Sequence, residues 1–183
     1  MKFIPQSISD VVLIEPAVHS DGRGYFMESF KQDVFEDAIG YKVNFIQDNE
    51  SKSTKGVLRG LHYQLPPYTQ AKLVRVIAGS VLDVAVDIRQ GSDTFGQHIS
   101  LVLSSENKKQ LFVPRGFAHG FVVLSEKAIF SYKVDNYYVP KHEQTIIWCD
   151  EDLDIDWQLG SENLFLSTKD KQGVAFRNAT YYK

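Results

Sequence analysis

The sequence predicts a mainly β protein, an antiparallel jelly-roll β-barrel with a few short helices. Three observations carry that prediction. Short apolar or alternating segments follow one another through the middle of the chain, turn signals separate them at similar spacing, and helix-forming stretches are scarce. Aromatic residues, including nine Tyr and twelve Phe, are spread throughout, and aromatic and β-branched side chains favour strands.

The first clear strand is residues 73–78, an apolar run broken only by Arg75 and ended by Gly79-Ser80. Residues 81–89 then alternate, with Val84, Val86 and Ile88 on one face and Asp83, Ala85, Asp87 and Arg89 on the other. Asp83 and Asp87 share a face. Two readings fit them: one carboxylate looks into a cavity near His62 and needs a partner there, or both pair with Arg75 or Arg89. Gly91-Ser92-Asp93 signals a turn, residues 99–103 the next strand and residues 104–107 the next turn. Strands over residues 110–113, 120–124, 128–134 and 145–148 complete the series. Residues 31–39 predict a helix, with Phe30, Val34 and Ala38 four apart and Gly40 as terminator, and residues 161–165 a single turn.

A length of 183 residues suits one domain over residues 1–183, and a chain of that size buries roughly 70% of its unfolded surface without disulfides or metals. A net charge of -3 gives no reason to expect nucleic acid or an anionic membrane as partner, so any anion-binding surface is local. No apolar run approaches the ~18 residues of a membrane span. The opening Met1-Lys2-Phe3-Ile4-Pro5 is too short and polar for a signal peptide, and the single cysteine, Cys149, cannot form an internal disulfide. A reducing, cytoplasmic setting is the expectation.

Three segments carry chemistry: Val57-Leu58-Arg59-Gly60-Leu61-His62-Tyr63-Gln64 followed by Lys72; Pro114-Arg115-Gly116-Phe117-Ala118-His119-Gly120-Phe121; and Tyr132-Lys133-Val134-Asp135-Asn136-Tyr137-Tyr138. Each sets polar or titratable groups in an apolar strand context. On barrel strands, alternate side chains point inward, and a cavity ringed by His, Arg, Lys and Tyr suits an anionic or carbonyl substrate. The Pro-x-Gly-x-x-His pattern ending at His119 resembles the second cupin motif. Metal-binding cupins use His-x-His in the first motif, whereas here Gln64 follows His62, and Lys72 sits where it can share the cavity. An ammonium group has no lone pair to donate and repels a cation, while His19, His98 and His142 fall in turns or outward positions. No metal and no cofactor is expected.

Together with Asp21-Gly22-Arg23-Gly24-Tyr25-Phe26-Met27-Glu28, Phe45-Ile46-Gln47-Asp48-Asn49 and Asp83 to Arg89, these segments resemble the dTDP-4-dehydrorhamnose 3,5-epimerase family end to end. The resemblance implies a cupin-like jelly roll acting on dTDP-4-keto-6-deoxyglucose, as a homodimer in which N-terminal strands of a second subunit complete each active site. It implies His62 as the base, with Asp170 as its carboxylate partner, and Lys72 as stabiliser of the enolate with His119 beside it. Tyr132 would be the acid, since a phenol with a pKa near 10 keeps its proton at neutral pH. For the nucleotide it implies Arg23 and Arg59 on the diphosphate, Tyr138 stacked on thymine, and Phe26, Glu28, Gln47 and Asn49 around the base and neighbouring sugar. Glu143 and Lys169 match further contact positions.

Each of these residues also has a plainer reading. His62 and His119 suit bonded core histidines, Lys72 a protective strand-edge lysine, Tyr132 a buried strand tyrosine and Arg23 a solvated turn arginine. Competing activities on the same scaffold are epimerisation at one carbon only, 3,4-ketoisomerisation, and sugar-nucleotide binding without catalysis. Retention of Tyr132 as the acid favours double epimerisation, and the presence of both His62 and Tyr132 speaks against binding without catalysis.

Overall fold

A strand that alternates needs cover on its apolar face, and a continuous apolar run such as residues 73–78 needs cover on both sides. The computed structural model, which describes residues 1–181, meets this demand with two facing antiparallel sheets and outer cover on each. In chain order the elements are β1 (Lys2–Pro5), β2 (Val12–Glu15), β3 (Val18–Asp21), β4 (Gly24–Met27), α1 (Gln32–Ile39), β5 (Gln47–Thr54), β6 (Leu58–Gln64) and β7 (Lys72–Ala78). They continue with β8 (Ser80–Asp87), β9 (His98–Ser104), β10 (Gln110–Val113), β11 (Phe117–Val123), β12 (Lys127–Val134), β13 (Glu143–Thr145) and α2 (Thr168–Lys171). One sheet runs β1-β2-β10-β7-β12-β5, the other β13-β6-β11-β8-β9, and β3 with β4 forms a separate hairpin.

The jelly-roll expectation holds, and its closure into a barrel is corrected. Among the described residues no strand ladder joins the two sheets, which stack face to face as a sandwich. Three apolar layers result. Leu13, Val74, Val76, Leu111, Phe121 and Phe130 fill the space between the sheets. Leu82, Val84, Val86 and Ile88 line the outer face of the five-stranded sheet, where Ile146, Leu153 and Trp157 of the C-terminal segment cover them. Leu73, Val12, Ile14 and Phe112 line the outer face of the six-stranded sheet beneath Phe35 and Val43.

Other boundaries shift for identifiable reasons. Helix α1 buries Phe35 and leaves Ala38 exposed, because the largest apolar ring sets the face and meets Phe112 edge-on at 5.0 Å. Gly40 ends it as expected, in the left-handed region with φ 82°. β13 starts at Glu143 rather than Thr145, and β11 at Phe117 rather than Gly120. β1, β2, β5 and the β3–β4 hairpin are strands beyond those expected, although residues 11–14, leading into and through β2, form a continuous apolar run. β5 carries no apolar residue at all.

Strand β6 departs from simple alternation, and the departure builds the site. Its partner β11 places His119 opposite His62 but Phe121 opposite Arg59, so two residues on β11 span three on β6. This is a β-bulge, with Gly60 as its extra residue. Leu58 and Leu61, three apart, both enter the outer layer, while Arg59 and His62, also three apart, both face the interior. Only glycine fits at this crossing. A Cβ on Gly60 would stand 2.5 Å from the Gly120 Cα, and one on Gly120 would stand 2.8 Å from the Arg59 carbonyl oxygen. Gly120→Ala is therefore expected to lower unfolding free energy by about 1–3 kcal/mol, as overpacking does, in urea titrations of the parent and variant.

Candidate active site

Between the sheets the inward-facing polar side chains gather in a cavity of about 380 Å³. The six-stranded sheet supplies one wall: Gln47 and Asn49 from β5, Lys72 from β7 and Tyr132 from β12. The five-stranded sheet supplies the other: Arg59 and His62 from β6 and His119 from β11. Phe121 and Phe130, stacked at 4.2 Å, also line the cavity. Tyr138, Glu143 and Lys169 line it from the segments that follow β12 and open α2.

His62 Nε2 lies 2.6 Å from Asp170 Oδ1. A carboxylate there requires the proton on Nε2, which leaves the Nδ1 lone pair as the free base. Burial pulls the His62 pKa below its ordinary value, against the Asp170 hydrogen bond that raises it. The ring is thus neutral, as a base must be, at neutral pH. Asp170 is itself almost fully buried. Burial alone would raise its pKa, but hydrogen bonds from His62 and Ser167 outweigh that and hold it at about 2. The Ser167 hydroxyl donates to Asp170 Oδ2 at 2.6 Å and accepts the Asp170 backbone N–H at 3.2 Å, a capping arrangement that opens α2 and fixes the carboxylate. The Gly60 N–H approaches Oδ1 at 3.4 Å.

His119 is the second buried imidazole. Its Nε2 lies 3.0 Å from both carboxylate oxygens of Asp83. This settles the two readings of the β8 carboxylates. Asp83 faces inward and pairs with His119, whereas Asp87 bonds Arg89, Ser92 and Thr94 at the far end of its strand. Lys72 forms no ion pair among the described residues, and burial draws its ammonium pKa down to about 8. It remains largely charged at neutral pH yet is a stronger donor than a solvated lysine. Burial raises the Tyr132 hydroxyl pKa, so this side chain keeps its proton.

Beside the dyad, Glu143 accepts from the Tyr138 hydroxyl and from Lys169 Nζ, each at 2.7 Å. That bond, with Glu143 ionised, pushes the Tyr138 pKa up to about 12. Arg59 donates to Ser53 Oγ at 3.2 and 3.3 Å and has no carboxylate partner among the described residues. Gln47 donates to Asn49 at 2.8 Å. Among the described residues no three His, Cys, Asp or Glu side chains are grouped to hold a metal ion, and each cavity histidine already faces its own carboxylate.

Three expected contact residues stand apart. Arg23, Phe26 and Glu28 lie on or just after the β3–β4 hairpin, outside the cavity lining. Arg23 pairs with Asp21 at 2.6 Å and Phe26 is 70% exposed. Ser167, Asp83 and Phe130 take part in the site without having been picked out as contacts. The Ser-x-x-Asp spacing signals the first, and the period-two relation of Phe130 to Tyr132 signals the last.

A family model described as dTDP-4-dehydrorhamnose 3,5-epimerase matches residues 5–178. The chain is 56% identical over 182 residues to the dTDP-4-dehydrorhamnose 3,5-epimerase of Shigella flexneri, covering 100% of this chain and 99% of that one. Its structure matches the crystal structure of dTDP-4-dehydrorhamnose 3,5-epimerase from Elizabethkingia anophelis with a TM-score of 0.95 at 50% identity, covering 99% of each chain. It also matches dTDP-6-deoxy-D-glucose-3,5-epimerase from Legionella pneumophila, solved in complex with dTDP-4-keto-L-rhamnose. There the TM-score is 0.94 at 50% identity, over 98% of this chain and 94% of the other.

The titrations in the site fix the sign of its response to acid. Asp170 and Asp87 are both held at about 2, below the ordinary 3.8. Each contributes stability that is complete above the unfolded carboxylate value and lost as pH falls toward 2. The lowered His62 pKa acts in the same direction, its contribution complete above the ordinary 6.5 and lost as pH falls. In melting experiments across pH 2 to 5, Asp170→Asn is expected to lose less stability on acidification than the parent. An acid limb of unchanged steepness would contradict the assigned titration.

Proposed function

The chain belongs to the dTDP-4-dehydrorhamnose 3,5-epimerase family, and we propose that its cavity carries out the reaction for which that family is named. The observation that carries this reading is the placement of a neutral His62 and a protonated Tyr132 on opposite sheets of one cavity. Inverting a carbon beside a ketone requires removing its proton from one face and returning one to the other. Two facing sheets supply two faces.

In this reading the substrate is dTDP-4-keto-6-deoxyglucose. His62 Nδ1 takes the proton from carbon 3 or carbon 5, and the C–H electron pair moves toward the ketone, giving an enolate. Lys72 donates to the enolate oxygen, with His119 beside it, and such preorganised donors are often the largest catalytic term. Tyr132 then delivers its hydroxyl proton to the carbon from the opposite face. Exchange with water resets both groups before the other carbon reacts. Arg59 suits a phosphate oxygen of the diphosphate, because its guanidinium is unclaimed by any carboxylate among the described residues. Tyr138 offers a half-exposed ring for thymine, while Gln47, Asn49, Glu143 and Lys169 offer polar groups to the base and sugar. No protein cofactor takes part.

The active assembly in this reading is a homodimer. Arg23, Phe26 and Glu28, on or just after the hairpin, lie outside the cavity lining of their own chain, and Tyr25 and Phe26 are 55% and 70% exposed. A second copy that receives the hairpin would cover those rings and complete its own nucleotide site with Arg23.

In heavy water, deuterium followed by proton NMR is expected to enter dTDP-4-keto-6-deoxyglucose at both carbon 3 and carbon 5. Entry at one carbon would reassign the chain as a single-site epimerase, and entry at neither would sink the reading. His62→Asn should lower kcat by about 10²–10⁴-fold, the usual contribution of a positioned base. Tyr132→Phe should retain deuterium exchange while losing inversion, because abstraction survives and return from the far face does not. Mixing the poorly active His62→Asn and Arg23→Ala proteins should restore activity if sites are shared between subunits, since the mixed dimer holds one intact site. Failure to recover activity would count against sharing.

A further inference from the structure

Gln64 stands two residues beyond His62 on the same face of β6, at the position where metal-binding relatives of the fold carry a second histidine. It is 4% exposed and lines the cavity. Among the described residues, its amide reaches main-chain groups on two separate loops. Nε2 donates to the carbonyls of Tyr68 at 2.7 Å and Tyr137 at 3.1 Å, and Oε1 accepts the Val139 N–H at 2.6 Å. The last two bonds bracket Tyr138. The loops also touch one another, through Asn136 Nδ2 to the Pro67 carbonyl at 3.0 Å and Gln70 Nε2 to the Asn136 carbonyl at 2.7 Å. Those contacts join loop to loop, whereas Gln64 joins both loops to the strand that carries His62.

We propose that Gln64 is a positioning residue for nucleotide binding, fixing Tyr138 relative to His62 so that the ligand does not have to order the loop itself. The requirement is chemically narrow. One side chain must donate twice and accept once within a buried space, which a primary amide does. A carboxylate could accept from Val139 but would face the Tyr68 and Tyr137 carbonyls as a third acceptor. A thioether would leave three buried main-chain groups unmatched. The Tyr138 ring, half-exposed and held at its hydroxyl by Glu143, then depends on Gln64 for the path of its backbone on both sides. Ordering a loop at the moment of binding lowers affinity without changing the chemical step, so the effect belongs in binding and not in turnover.

The inference rests on the proposed binding of the nucleotide at Tyr138, and the test separates the two. Calorimetric titration with dTDP comes first on the parent protein, and failure of the parent to bind would remove the reading beneath the inference. Given a parent that binds, Gln64→Glu is expected to weaken dTDP about tenfold and to raise KM by a similar factor, with kcat within about twofold of the parent. Gln64→Met, uncharged and of similar length, carries the same expectation if the glutamate variant does not fold. In a Tyr138→Ala background the same Gln64 change should cost little further affinity, because the two residues act through one another. Parent-like dTDP affinity in a variant with a lowered melting temperature would show a purely structural role and overturn the proposal. A fall in kcat with dTDP affinity and KM unchanged would overturn it too, as would full additivity with Tyr138→Ala.

Discussion

The chemistry of this molecule depends on one extra residue in one strand. A strictly alternating β6 would send Arg59 and His62 to opposite faces, one into the cavity and the other into the apolar layer beneath the C-terminal segment. The bulge at Gly60 turns both inward and keeps Leu58 and Leu61 outward. Its cost falls on the partner strand, where Gly120 must also lack a side chain for the backbones to approach. The pair of glycines thus lets a single strand present a guanidinium and an imidazole to the cavity and two leucines to the apolar cover at once. The Gly60 N–H adds a further tie by pointing at Asp170, so the bulge and the dyad are built from the same stretch of backbone.

The cavity is electrically asymmetric in a way that suits proton transfer. Its two imidazoles are each backed by a buried carboxylate from another element, Asp170 from α2 and Asp83 from β8. Its ammonium, Lys72, makes no direct ion pair among the described residues, is drawn down by burial and meets Asp83 and Glu143 only at longer range. The carboxylate behind each imidazole fixes which ring nitrogen carries the proton, and for His62 it is burial that favours the neutral ring. Ser167 and Gln64 stand behind this arrangement. Neither carries charge, and each holds a functional neighbour by paired donation and acceptance.

Much of this was legible in the sequence because it rested on period two. The runs containing Leu73, Val84, Leu111 and Phe130 announced strands because their alternate side chains pack against apolar layers. His62, Lys72, His119 and Tyr132 stood out as titratable groups inside such runs, and the family resemblance then placed Asp170, which no local pattern connects to His62 across 108 residues. Where apolar periodicity failed, so did the reading. β5 has none, and the α1 face was misjudged by one residue because a four-residue spacing of smaller side chains competed with the single ring of Phe35. The partners of Asp83 and Asp87 stayed open for a different reason. Two carboxylates on one strand face are equivalent in sequence, and both lie two residues from Ala85, which β11 sets opposite His119; only the side-chain contacts give Asp83 to His119 and Asp87 to Arg89, Ser92 and Thr94.

The composition of β5 bears on how such a protein can change. Gln47-Asp48-Asn49-Glu50-Ser51-Lys52-Ser53-Thr54 is an edge strand joined to the rest through the β12 backbone ladder, and its inward side chains reach the cavity instead of the apolar interior. The charges along its other face discourage unwanted pairing with a neighbour's edge. The wall residues on β6, β7, β11 and β12 share their strands with core side chains, so altering them disturbs packing. On β5 the side chains that line the cavity are uncoupled from the apolar interior, so this wall of the cavity can be altered with the core packing left in place.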